Sequence, residues 1–220
     1  MDMNSLVLWT DASIIVLNKP SGLLTLPDGY DPSKPHVRAI MDVEFGRVWI
    51  VHRLDRETSG TLVLARTAEA HRYLNSQFEN RTVEKIYYAL VIGNPTWEIT
   101  TVDLPLRKDG DRNHRTVIDQ KDGKEAITSF SVIERYTDFS LLEARPKTGR
   151  THQIRAHLTA LGHPIIGDSL YGDLTHPRHN HLDRQALHAY LISVTHPVSE
   201  ERLEFQAAYP DDFSSMLRSS

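Results

Sequence analysis

This 220-residue sequence predicts an α+β fold on a mixed, mainly antiparallel central sheet flanked by helices and loops. Short apolar runs rich in β-branched and aromatic residues recur along it, the pattern of buried strands. Stripes at helical spacing fall between those runs, but without the strict strand–helix–strand alternation of a parallel sheet. The length allows one large domain or two closely packed subdomains. No internal repeat, low-complexity segment or long linker divides the chain, so residues 1–220 are read as a single domain.

The elements follow in order. Ser13–Leu17 is a buried strand, stopped by Asn18-Lys19-Pro20-Ser21-Gly22. Leu23–Leu26 continues extended before the Pro/Gly/Asp loop from Pro27 to Pro35. Val37, Ile40, Met41 and Phe45 mark a short helix over 37–45, and Val48-Trp49-Ile50-Val51 leads into the Asp55 turn. Thr61–Ala65 is apolar on both faces, hence central. Thr67 caps a helix whose stripe is Ala70, Tyr73, Leu74 and Phe78. Lys85–Ile92 is the next strand, ended by Gly93-Asn94-Pro95. Glu125–Arg135 and Ser140–Arg145 pair about a Thr137-Asp138 turn. Thr151 caps a helix that buries Ile154, Leu158 and Leu161, and Gly162-His163-Pro164 stops it. Two strands, Ala186–Val194 and Arg202–Phe205, follow.

Composition narrows the function. Hydrophobic residues make up 40% and charged residues 25%, ordinary for a soluble globular chain. Cysteine is absent, which removes disulfides and thiolate metal sites and suits a reducing, cytoplasmic setting. The first residues are acidic and lead into no long apolar run, so neither a signal peptide nor a membrane span is expected. The net charge of −4 argues against wholesale nucleic-acid binding, but its distribution is uneven. Between Pro146 and Ile166 there is no acidic residue, against Lys147, Arg150, Arg155 and three histidines. Arg107, Lys108, Arg112 and Arg115 form a second cluster in a Gly/Asp-rich loop. These are either a local basic cleft or two ordinary solvated faces.

The most informative stretch is His52-Arg53-Leu54-Asp55-Arg56-Glu57-Thr58-Ser59-Gly60. It sets one carboxylate, Asp55, between two arginines at the entrance to a buried strand. Flanking cations depress a carboxylate pKa, and an ionised, positioned carboxylate is a nucleophile or an electrostatic stabiliser at neutral pH. The plainer alternative is an ion pair that only fixes a turn. The second informative stretch is Lys147-Thr148-Gly149-Arg150-Thr151-His152-Gln153-Ile154-Arg155-Ala156-His157. Gly149 permits a tight turn into a helix N-terminus, a natural seat for a phosphate. With Ile154 inward, Arg155 lies toward one edge of the buried face, within reach of a buried carboxylate; otherwise it is a surface arginine. Tyr87 and Tyr88 alternate faces, so only one can point inward. Twelve histidines raise the question of metal, but the densest group, His176 to His181, is broken by Pro and Asn, and no pair has the helical zinc spacing. Neither metal nor nucleotide cofactor is expected, since phosphate-cradling glycine motifs are also lacking.

These residues together resemble the RluA-type pseudouridine synthases. His52-Arg53-Leu54-Asp55 with Thr58-Ser59-Gly60 is similar to that family's signature. Asn18-Lys19-Pro20-Ser21-Gly22-Leu23, the Lys85-x-Tyr87-x-Ala89-x-Val91-x-Gly93 pattern, and Thr148 to His157 followed by Gly162-His163-Pro164-Ile165-x-Gly167-Asp168-x-Leu170-Tyr171-Gly172 resemble its other motifs in order. Leu187-His188-Ala189 and Thr195-His196-Pro197 complete the series, so the core spans about residue 13 to Phe213.

The resemblance implies the pseudouridine synthase fold with a catalytic cleft across the sheet. It implies an enzyme that isomerises uridine in structured RNA without metal or cofactor. Asp55 matches the catalytic aspartate, which either attacks C1′ or acts at the ribose in a glycal route. Arg155 matches the arginine that pairs with it, and Tyr87 the tyrosine that packs on the uracil. Leu187 falls at the apolar wall of the base pocket, and Arg53 matches the residue inserted where the base leaves its stack. His52, Lys147 and Arg150 are expected to contact RNA. The pattern begins by Ser13, as in the short form without an S4 domain, whose members modify transfer RNA and large-subunit ribosomal RNA. A monomer is expected. The rival readings are a nucleosidase, which releases free base, and an RNA-binding protein without turnover.

Overall fold

The computed structural model describes residues 6–177 and 182–218. In chain order the first half contains β1 (Val7–Thr10), β2 (Ile14–Lys19), α1 (Val37–Phe45), β3 (Trp49–Ile50), β4 (Ser59–Ala65), α2 (Ala68–Glu79), β5 (Glu84–Ile92) and β6 (Ile99–Asp103). The second half contains β7 (Leu106–Arg107), β8 (Val117–Ile118), β9 (Ile127–Arg135), β10 (Phe139–Pro146), α3 (Gln153–Ala160), β11 (Leu187–Thr195), β12 (Arg202–Gln206) and α4 (Asp211–Arg218). Two compact units result, one of residues 1–85 and 189–210, the other of residues 86–188 and 211–220.

In the first unit β1, β2, β4 and β11 lie side by side, with β12 on β11 and β3 on β4. β2 and β4 pair antiparallel in continuous register from Ile14–Ala65 to Lys19–Gly60. Every residue of β4 is buried, as its two-faced apolar sequence requires of a central strand. One face packs Ile14, Val16, Val63, Ala65, Ile192 and Val194 against Ala70 and Leu74 of α2. The Thr67 hydroxyl accepts from the Ala70 amide, the cap expected from sequence. Helix α1 occupies the residues its apolar spacing marks, with the His36 ring accepting from the Ala39 amide as its cap.

In the second unit the sheet order is β5, β10, β9, β6, and every strand pair is antiparallel. β7 and β8 form a separate small hairpin. Leu106 and Ala126 pack with Ala156 of α3 and with Tyr171, which ties the hairpin to the helix. The helix starts differently from the expected one. Its N-cap is His152 in the left-handed conformation (φ 52°), without a side-chain cap, rather than Thr151. Gln153 takes over the capping chemistry: its Oε1 accepts from the Arg150 amide at 2.9 Å and the Thr148 hydroxyl at 2.7 Å. Five short strands (β1, β3, β6, β7 and β8) and helix α4 were not expected from sequence. Each is short or two-sided in burial, so its periodicity is weak.

Candidate active site

Asp55 sits in the first unit, in the loop between β3 and β4, and is half-buried. That loop is stapled to the turn after β2. The Lys19 ammonium, 1% exposed, donates to the carbonyls of Pro20 and Leu23 at 2.8 Å and of Arg56 at 3.0 Å. Ser21 Oγ donates to the Glu57 carbonyl, the Gly22 amide to the Arg56 carbonyl, and the Thr25 hydroxyl to the Leu54 carbonyl. The Asn18–Gly22 and His52–Gly60 motifs are thus two halves of one structure, and the residues next to Asp55 are bonded to it on either side. The ammonium is costly to bury unless its donors are satisfied, and three carbonyls do that here.

Gly60 explains the end of the same motif. At φ 113°, its backbone lies so close to β11 that a Cβ would stand 2.1 Å from the Ala189 carbonyl oxygen. Thr61 Oγ1 donates to that same carbonyl. Arg56, one of the two arginines flanking Asp55, directs Nε to Glu57 at 2.6 Å. The expectation that both flanking arginines serve Asp55 therefore needs revision for Arg56; Arg53 is exposed.

His52 is held against β4 and α2. Its Nε2 accepts from the Val63 amide at 3.0 Å, and its ring stacks on Phe78 with centroids 4.8 Å apart. Burial, with the nearby Lys85 charge, pushes its pKa down to about 3, so the ring is neutral. Burial lowers Lys85 itself to about 8. A neutral imidazole clamped to β4 braces the Asp55 loop.

The second unit holds Arg155, in the first turn of α3 and 7% exposed. Its Nε and Nη2 donate to the two oxygens of Asp168 at 2.7 and 2.9 Å, a fork-to-fork pair with Asp168 almost fully buried. The guanidinium also lies over the Tyr171 ring, 4.8 Å from its centroid. The Tyr171 hydroxyl accepts from the Thr116 amide and donates to the Thr116 carbonyl. Asp168 further accepts from the amides of Leu170 and Tyr171. Within this unit Arg155 thus has a buried carboxylate partner, Asp168. Gly167, at φ 72° and with no room for a Cβ beside the Arg184 carbonyl, permits the turn that delivers it. Lys19, Asp168 and Tyr171 stood inside motifs without an assigned role. A lysine before proline and an aspartate after glycine, each next to an apolar run, were the available signals.

Tyr87 lies on β5 opposite Ala144 of β10, and Tyr88 opposite Glu143. Both are half-buried, so burial does not separate them. Leu187 opens β11 and is 4% exposed. Lys147 is exposed, while Arg150 directs Nε to the Glu125 carbonyl. The second basic cluster is largely neutralised: Arg107 pairs with Asp119, Lys108 with Asp109, and Arg115 with Asp111. Among the described residues, no group of three or more His, Cys, Asp or Glu side chains is arranged to hold a metal. Most of the His176–His181 cluster lies outside the described residues. Among the described residues, no helix is long and apolar enough to cross a membrane.

Residues 13–160 match the family model described as RNA pseudouridylate synthase, about two thirds of the chain. The chain belongs to that family. It is 45% identical, over 91% of its length, to an uncharacterized RNA pseudouridine synthase of Chloroflexus aurantiacus, of which it covers 65%. It is 36% identical over 96% of its length to the ribosomal large subunit pseudouridine synthase D of Neisseria meningitidis, of which it covers 60%. The chain thus spans less than two thirds of the length of these two curated relatives. Human RNA pseudouridylate synthase domain containing 4 superposes with a TM-score of 0.80 at 25% identity, covering 98% of this chain and 93% of that one. The pseudouridine synthase fold, α+β on a mainly antiparallel sheet, is therefore that of this chain.

Proposed function

We propose that this chain is an RNA pseudouridine synthase that isomerises uridines in structured RNA, with large-subunit ribosomal RNA the first candidate and transfer RNA stem-loops the second. The observation that carries the reading is Asp55, held in a loop whose neighbours are bonded on both sides by the Lys19 turn. Family membership and relatives named for the ribosomal large subunit support it. The reaction balances without an outside reactant. The N1–C1′ bond breaks, the uracil turns, C5 bonds to C1′, and the C5 proton is lost as N1 regains one.

In this reading Asp55 acts at C1′ or at the ribose, and a carboxylate serves either route. Arg155 supports that charge, and Tyr87 packs on the uracil and assists loss of the C5 proton. Leu187 walls the base pocket. Arg53, exposed ahead of Asp55, occupies the stack the base vacates, at a cost to the RNA of a few kcal/mol. Lys147 and Arg150 address flanking phosphates. The family signature rather than contact geometry supports these roles. A cytoplasmic monomer needing no cofactor fits the reading.

The test is tritium release from ribosomal and transfer RNA labelled at uridine C5, comparing the wild type with Asp55→Asn. Release that requires Asp55, with uracil retained in the RNA, is expected. Free uracil would indicate a nucleosidase. Equal release by Asp55→Asn would overturn the assignment.

A further inference from the structure

We propose that Asp168 is the positioning residue for Arg155, and that Tyr171 is the seat on which the guanidinium rests. The inference depends on the proposed role of Arg155 for its catalytic consequence, though not for its structural claim. An arginine side chain has four rotatable bonds, and on a helix it would ordinarily sample many directions. Here two separate constraints remove that freedom. The Asp168 carboxylate takes the Nε–Nη2 edge in two parallel bonds of 2.7 and 2.9 Å, which fixes the plane of the guanidinium. The Tyr171 ring supports one face of that plane at 4.8 Å.

Both partners are themselves fixed. Asp168 accepts from the amides of Leu170 and Tyr171, each at 3.0 Å, so its carboxylate cannot turn to follow a moving arginine. Tyr171 is tied through its hydroxyl to both backbone groups of Thr116, and it bonds Nδ1 of His152 at 3.1 Å. Helix, turn and hairpin therefore converge on one guanidinium. A buried arginine used only for stability needs a counter-charge; it does not need a counter-charge and a ring that are each locked from behind. The arrangement is that of a group whose direction matters.

Asp168→Asn is the test, because the amide keeps size and shape but loses the charge and one acceptor. The first measurement is the side-chain Nε–H signal of Arg155 in protein labelled with nitrogen-15, with solvent exchange read against wild type. A slowly exchanging resonance is expected in the wild type and a broadened, fast-exchanging one in the variant. An equally protected resonance in Asp168→Asn would overturn the positioning role, whatever the activity. The second measurement separates single-turnover rate from RNA affinity. Misplacement of a group by about 1 Å can cost roughly 10²-fold in rate, so a loss of that order with Kd nearly unchanged is expected. Loss of affinity with an unchanged rate would count against it.

If wild type and Asp55→Asn release tritium alike, the functional reading fails, while the Arg155 signal still decides the structural claim. Should Asp168→Asn not fold, Tyr171→Leu carries the test. It leaves the carboxylate and removes the supporting ring, and the same two readouts should move in the same direction by less. No change in either readout would remove the claim for Tyr171.

Discussion

Gly60→Ala tests how tightly β4 is held against β11. The added Cβ would stand 2.1 Å from the Ala189 oxygen, 2.7 Å from its carbon and 2.8 Å from its nitrogen. Ordinary contact needs more than 3 Å, so the strands must separate by about 1 Å at this point, against the dense packing of a protein interior. Neither strand yields cheaply. Gly60 is also paired with Lys19 of β2, and Lys19 holds the Asp55 loop through the Arg56 carbonyl. The obstacle is backbone, which no rotamer change can clear. Backbone strain at positive φ costs about 1–3 kcal/mol and overpacking a core about 1–3 kcal/mol more, so destabilisation of about 2–6 kcal/mol is expected. At roughly 2–4 °C per kcal/mol for a chain of this size, Tm should fall by about 4–24 °C. Urea and thermal denaturation followed by circular dichroism measure this. A variant within about 2 °C of wild type would show that β4 and β11 are looser than the structure has them, and would refute the reasoning.

Four more predictions each perturb one residue. Arg155→Ala strands the buried Asp168 carboxylate and should cost roughly 3–5 kcal/mol, seen in urea melts; unchanged stability would refute a tight pair. Lys19→Met takes the donor from the Pro20 and Leu23 carbonyls and one of two donors from the Arg56 carbonyl, which keeps the Gly22 amide, so a loss of about 1–3 kcal/mol for each of the first two is expected by the same assay. His52 gives a pH dependence: with its folded pKa near 3, the unfolded chain alone binds the proton between about pH 6.5 and 3, so stability falls as pH drops. Its share is about 2 kcal/mol between pH 7 and 5. Accordingly, His52→Asn should lose less stability over that interval than wild type does, and parallel losses would sink the assignment. Asp55→Asn should abolish turnover while retaining RNA affinity, read by tritium release and a binding titration.

Elements with their own strong periodicity were legible. Helix α1 falls on the residues its apolar spacing marks, Thr67 caps α2 as read, and β4 is buried on both faces as its composition demands. The weakly patterned elements were not. Helix α4 shows only Phe213 and Met216 as buried anchors, and β7 and β8 are two residues each. The basic hairpin was ambiguous for a different reason. Its aspartates were visible in the sequence, but whether they neutralise Arg107 and Arg115 depends on how the loop folds.

The sequence by itself determined the fold class and the family motifs, the one around Asp55 among them, because these rest on residue types and short spacings. Only the tertiary structure decided what those residues touch. Lys19 reaches Arg56 across 37 positions, and His52 reaches Val63 across 11. Arg155 reaches Asp168 across 13. Periodicity is a local property, set by 3.6 residues per helical turn and two per strand repeat. A buried cation, by contrast, takes its partner from whichever acceptor the packed chain brings near, and the cost of leaving it unpaired enforces that choice only once the surrounding core has formed.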